Sequence, residues 1–200
     1  MKVKLTFIEE MLGTKASDPA IYDKFMASKA PTEVERKEEN DIAEAQVINE
    51  EHSGSTIFHR VDGVPSLYNY MIKGFFKEAC SSWNRFDKEF RNDLDPLKAF
   101  KTKIDGCIFI GPRILGISIP AGQEMGVCQR PLRGQTAQGP RISLARSETV
   151  PAGSTIEFEV RILSKELKPY IVEWFNYGKF RGLGQWRNSS KGSFTWELLA

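Results

Sequence analysis

Thr155 to Trp196 is the stretch that most restricts the fold. From Thr155 to Leu163, apolar Ile156, Phe158, Val160 and Ile162 alternate with Thr155, Glu157, Glu159 and Arg161. That period of two predicts a strand with one buried face. Lys165 to Tyr177 changes period and carries Leu167, Ile171, Trp174 and Phe175 on one helical face, with Trp174 read as core. Gly178 is positioned as the glycine that ends such a helix. Phe194 to Leu198 then reads as a closing strand. A strand, a helix and a returning strand need a sheet to join and a face to cover.

The N-terminal part supplies the matching half. Lys2 to Ile8 alternates, with Val3, Leu5 and Phe7 against Lys2, Lys4 and Thr6. Tyr68 to Trp83 is the clearest helix, its stripe built from Met71, Ile72, Phe75, Phe76, Ala79 and Cys80, with Leu67 just before it. Gly74 interrupts this helix, and the expectation is that it permits close approach by another segment. Ile57 to Arg60 reads as a short strand, Asp62-Gly63 as a turn, Pro96 to Lys103 as a short helix and Ile104 to Ile119 as short strands. The order is strand, helix, strands, helix, strand. This is the α+β, ferredoxin-like (RRM-like) βαββαβ pattern. Residues 1–200 are read as one domain with two additions: an acidic insertion at 31–51 and a basic arm at 125–141. Asp18-Pro19 is placed to start a short helix through Met26.

Charge is distributed unevenly. Glu33 to Glu51 holds eight acids and two bases, a balance of −6, so a total of +2 leaves +8 for the remainder. A basic body suits an anionic partner. The acidic stretch has few large apolar side chains and reads as a solvated helix or a mobile insertion. Cys80, Cys107 and Cys128 are odd in number and widely spaced, which fits reduced thiols. With only His52 and His59 and no paired cysteines, no metal site is expected. No cofactor signature appears either: there is no Walker sequence and no Gly-x-Ser-x-Gly elbow. The start of the chain lacks the pattern of a signal peptide, and no window is apolar enough to span a bilayer, so a cytoplasmic location without a membrane partner is expected.

Two segments point to a polyanion. Gly178 to Trp196 contains four glycines, four cations and two tryptophans in nineteen residues, with no carboxylate. Gln129 to Arg141 contains three arginines and three glutamines, again with no acid. Arginine forks phosphate, amides reach sugar or base edges, and exposed aromatic faces stack bases. The candidate contacts are Arg130, Arg133, Gln135 and Arg141 on the arm, with Arg181, Gly182, Gly184, Trp186, Arg187 and Lys191 in the loop. Lys73 and Arg113 extend the basic count. For catalysis, His59 is the best general base for metal-free RNA cleavage, and its alternative is a half-buried strand residue.

The last helix running into Gly182-Leu183-Gly184, then Trp186-Arg187-Asn188-Ser189-Ser190-Lys191-Gly192-Ser193-Phe194, resembles the RAMP superfamily. These are CRISPR-associated proteins of ferredoxin-like fold that bind or process guide RNA. Lys73-Gly74 after Pro65-Ser66, and Val150-Pro151-Ala152-Gly153-Ser154 before a strand, resemble helix and strand entries of their backbone subunits. The resemblance covers mostly residues 1–8, 57–83 and 142–200, and the whole chain also resembles a small phage- or prophage-encoded family of similar size. The expected function is a non-enzymatic RNA- or single-stranded DNA-binding protein in a bacterial cell or phage-infected host, with copies of itself along the strand as a further candidate partner. The alternatives are a phage-encoded anti-CRISPR decoy that engages a CRISPR effector complex, and a metal-independent endoribonuclease. Processing nucleases of the superfamily often use a histidine; His52 and His59 sit in or beside the insertion.

Overall fold

The computed structural model describes residues 1–17, 55–136 and 139–199, and for 132–136 and 140–143 the backbone alone. The expected helix at 18–26 and the acidic insertion at 31–51 lie outside the described residues.

Strand β1 (Lys2–Phe7) sits centrally between β11 (Thr155–Ile162) and β12 (Phe194–Leu199), antiparallel to both. On the far edge of β11 lie β7 (Ile108–Gly111) and β8 (Ile114–Ser118), also antiparallel. The register slips by three residues between β7 and β8, so they are two halves of one strand that bulges around Pro112. The order β12, β1, β11, β7/β8 is that of the ferredoxin-like sheet, and the expected fold class is borne out. The sheet continues through β6 (Val64–Tyr68) to β5 (His59–Val61), joined by a tight turn with positive φ at both Asp62 and Gly63.

Helix α1 (Asn69–Trp83) lies between β1 and β7 in the chain, and α3 (Lys168–Tyr177) between β11 and β12. Both cover one face of the sheet. Val3, Leu5 and Phe7 align across the strands with Phe158, Ile156, Trp196 and Phe194 on that face. Phe75 of α1 meets Phe194 edge-on at 5.2 Å, and Phe175 of α3 stacks on Trp196 at 5.1 Å. Trp174 is fully buried, as its stripe position predicts. The opposite face is polar and carries the Lys4–Glu197 ion pair at 3.1 Å.

A second sheet stands beside the first. Long strands β9 (Gly126–Thr136) and β10 (Gly139–Val150) form an antiparallel hairpin, so the basic arm is a β-ribbon longer than its sequence signal. The other edge of β10 takes β4 (Ser55–Ile57) in parallel and then β2 (Met11–Leu12) antiparallel. The short β3 (Lys15–Ala16) pairs with β4. No helix of the described residues is long and apolar enough to cross a membrane.

Three local expectations need correction. The short helix runs Phe100–Cys107 (α2) rather than 96–103. Asn84 pins Leu97 through both backbone groups, and Ala99 turns left-handed at φ 50°, so the helix starts only after it. Gly74 has nothing within 4 Å of where a Cβ would stand, so no segment of the described residues approaches it. Gly178 is not a left-handed cap: its φ is −56°, and a Cβ there would lie 2.3 Å from the Phe194 ring. Its small size, not its flexibility, is what the fold uses.

The same substitution at these two glycines has opposite expected effects. Gly74→Ala adds a methyl group in open space within a helix and should stabilise by about 0.5–1 kcal/mol. Gly178→Ala forces Phe194 out of place and should destabilise by roughly 1–3 kcal/mol. Urea denaturation of the two variants checks both signs.

Candidate nucleic-acid interface

The loop after α3 is bound to the body largely by its own backbone. A Cβ on Gly182 would stand 1.9 Å from the carbonyl carbon of Gly192, and one on Gly184 2.6 Å from the Leu12 oxygen. Gly184 and Gly192 also have positive φ, 83° and 69°. Leu183 N–H donates to Gly192 O at 2.9 Å, and Gly192 N–H donates to Glu10 O at 2.9 Å. Glycine is therefore required here because two backbone segments touch. Leu183, between the first two glycines, is buried in the core.

The loop cations meet carboxylates from elsewhere. Glu78 of α1 accepts from Arg181 Nε at 2.6 Å and also pairs with Arg187. Arg181 reaches Asn188 as well. Lys191 pairs with Glu10 at 2.8 Å and lies 3.7 Å from Glu9, and this hydrogen bond to Glu10 raises its pKa. Three cations of the predicted site thus fasten the loop to α1 and to the turn before β2. Glu78, Glu9 and Glu10 gave no local sequence signal, because only the fold brings them to the loop.

Trp186 is different. It is 40% exposed, and its backbone is left-handed at φ 54°. For a bulky residue this conformation costs roughly 1–3 kcal/mol and is held only by its surroundings. The guanidinium of Arg130 on β9 lies over its ring, 4.7 Å from the centroid. The Nε and Nη1 of Arg130 are shielded from solvent and have no hydrogen-bond partner among the described residues. The arm and the loop, 56 residues apart by this pair, therefore close on one another, with Arg130 and Trp186 as the meeting point.

The remaining candidates are dispersed. Lys73 on α1 lies over the Phe109 ring at 4.7 Å and donates to Asp105 O at 3.3 Å, which holds it toward α2. Lys73 and Glu78 are five residues apart on one helix, about 140° around its axis, so Lys73 does not join the loop. Arg113 is exposed in the bulge between β7 and β8. Arg133, Gln135 and Arg141 occupy register positions opposite Ile142, Pro140 and Gly134 in the ribbon.

No family model matches the sequence, and no curated protein does. The fold is similar to that of a chain in the cryo-EM structure of Type III-B Cmr-beta bound to cognate target RNA, with a TM-score of 0.56 and 11% identity. The match covers 100% of this chain and 58% of that chain. At this identity the likeness is one of fold.

His59 lies away from the loop, in β5. It is buried at 7% exposure, edge-on to Tyr68 at 4.6 Å. Burial, with a smaller contribution from the Lys15 charge, pushes its pKa down to about 4. Lys15 is itself buried and its pKa is lowered, first by burial and then by Arg60. Arg60 pairs with Glu148 of β10, whose second oxygen accepts the Phe58 N–H at 3.0 Å. This cluster joins the two sheets and was not foreseen.

A neutral buried imidazole makes stability depend on pH. The folded pKa is about 4 against an ordinary 6.5, so the unfolded chain holds the proton more tightly. Stability is complete above pH 6.5 and falls as pH drops toward 4, by roughly 3 kcal/mol in all. The expected result is a steep loss of denaturation free energy over that window, flattened in His59→Gln.

Proposed function

We propose that this chain is a non-enzymatic RNA- or single-stranded nucleic-acid-binding protein of RAMP-like fold. Its strand-gripping crevice lies between the β9–β10 ribbon and the glycine loop. The observation that carries this reading is Arg130: a guanidinium stacked on a partly exposed tryptophan, with Nε and Nη1 shielded from water and without an acceptor among the described residues. A small turn of Arg130 would bring those donors to a phosphate oxygen, and the exposed part of the Trp186 ring would take a base. The RNA-bound state of the similar Cmr-beta structure supports the same direction. The loop cations Arg181, Arg187 and Lys191 act through position, holding Trp186 in its strained place. His59, buried and neutral, is poorly suited to serve as the base of a nuclease.

Equilibrium titration with a single-stranded oligonucleotide at several salt concentrations tests this. Arg130→Ala should lower affinity and reduce the log–log salt slope by about 0.7. If Arg133 and Arg141 also reach phosphates, the triple variant should lose about 2 units of slope. Trp186→Ala should cost on the order of 1–3 kcal/mol in binding. RNA incubated with the protein in chelator should remain intact. Wild-type protein that binds no oligonucleotide at low salt overturns the reading and transfers the function to a protein partner; cleavage in chelator overturns its non-enzymatic part.

A further inference from the structure

The end of α1, the 3₁₀ turn Lys88–Arg91 and α3 enclose a trough of about 550 Å³ on the side chains of Trp83, Phe86, Phe90, Tyr177 and Phe180. This volume is in the range of small-ligand sites. Phe90 and Phe180 stand 70% and 75% exposed, an unusual cost for two phenyl rings in water. The rings are tilted rather than parallel: Phe86 to Tyr177 at 5.8 Å and 60°, Tyr177 to Phe180 at 6.5 Å and 46°. They present several faces to one space.

The acids are what decide the ligand. Glu173, one helical turn before Tyr177, is half-buried in the wall. Its Oε1 accepts from Asn92 Nδ2 at 2.9 Å, which fixes the carboxylate and leaves Oε2 without a described partner. Asp87 stands at the mouth and is in no described ion pair; Arg85 is exposed beside it. Among the described residues the lining carries Asp87 and Glu173 against Arg85. Aromatic faces around fixed carboxylates attract organic cations, and the planar guanidinium both stacks on rings and forks carboxylates. The molecule already contains a guanidinium on one of these rings: Arg91 lies over the Trp83 ring at 5.8 Å, its Nε and Nη1 donating to Phe86 O at 3.0 Å and Leu94 O at 2.8 Å. An open trough of this size exceeds one side chain, so its occupant carries apolar neighbours along with the cation.

We propose that this trough is a docking site for an arginine side chain on an extended segment of a partner protein, its guanidinium against Glu173 and its flanking apolar residues on Phe90 and Phe180. The site is separate from the Arg130–Trp186 crevice, and its test does not depend on that crevice.

The probe is a short blocked peptide with one arginine between leucines, titrated into the full chain while backbone amide shifts are followed. The expected result is saturable shifts at residues 83–90 and 173–180. Replacing the arginine with citrulline, planar and neutral, should weaken binding about tenfold, and Glu173→Gln should do the same. Phe180→Ala should also weaken it with the thermal midpoint unchanged, since that ring is mostly exposed. Citrulline binding equal to arginine, full affinity in folded Glu173→Gln, or no shifts at millimolar peptide would each overturn the proposal.

Discussion

Phe175 is the contact on which the two-layer body depends. Its ring meets Phe76 of α1 at 5.1 Å, Phe158 of β11 at 6.3 Å and Trp196 of β12 at 5.1 Å. One side chain therefore joins both helices to two strands that flank β1. Burying a phenyl ring of this kind contributes on the order of 2–3 kcal/mol from area alone, and edge-on and stacked neighbours add to it. The position follows from sequence spacing: Ile171, Trp174 and Phe175 share a face, and Phe158 alternates into the same layer. Once this layer forms, α3 must end at the strand edge, and the chain has to return to β12 through a loop lying on the body.

That return explains the glycines. The loop passes so close to β2 and to its own exit that side chains cannot fit at 182, 184 or 192. Close backbone contact gives the loop a fixed shape but few buried apolar groups besides Leu183. Glu78 and Glu10 complete it by charge. Partly exposed ion pairs contribute little one at a time, yet here two arginines share one carboxylate and Lys191 holds the opposite side. Their consequence is positional: Trp186 is kept left-handed and outward, facing β9.

The strands β1, β11 and β12 and the helices α1 and α3 were legible because one-sided burial imposes a period on the sequence. The ribbon was legible as an arm from its Gly, Gln and Arg content, but not its length, since its largely polar strands carry no alternating apolar face to mark them. Gly74 and Gly178 were misread because composition cannot distinguish a glycine needed for space from one merely tolerated. Arg181 and Glu78 are 103 residues apart in sequence, and nothing local announces their pairing. The same holds for His59, whose burial beside Lys15 arises only where the two sheets meet. Arg130 and Trp186 were both legible as polar and aromatic candidates; their stacking was not.

The stacking has an energetic consequence that the composition alone does not carry. Shielding guanidinium donors without an acceptor costs about 1–3 kcal/mol or more, because their hydrogen bonds to water are lost. A cation over an indole returns about 0.5–2 kcal/mol, so the free protein keeps much of that cost. An anion that draws the Arg130 donors out of their shielded place relieves it, since the desolvation at Arg130 is already present in the free protein. The loop cations offer no such gain: an anion there would first have to displace Glu78 or Glu10. On the proposed function, affinity for a charged strand would then concentrate at Arg130 and Trp186 rather than spread over every basic residue of the loop, because Arg181, Arg187 and Lys191 already hold carboxylates.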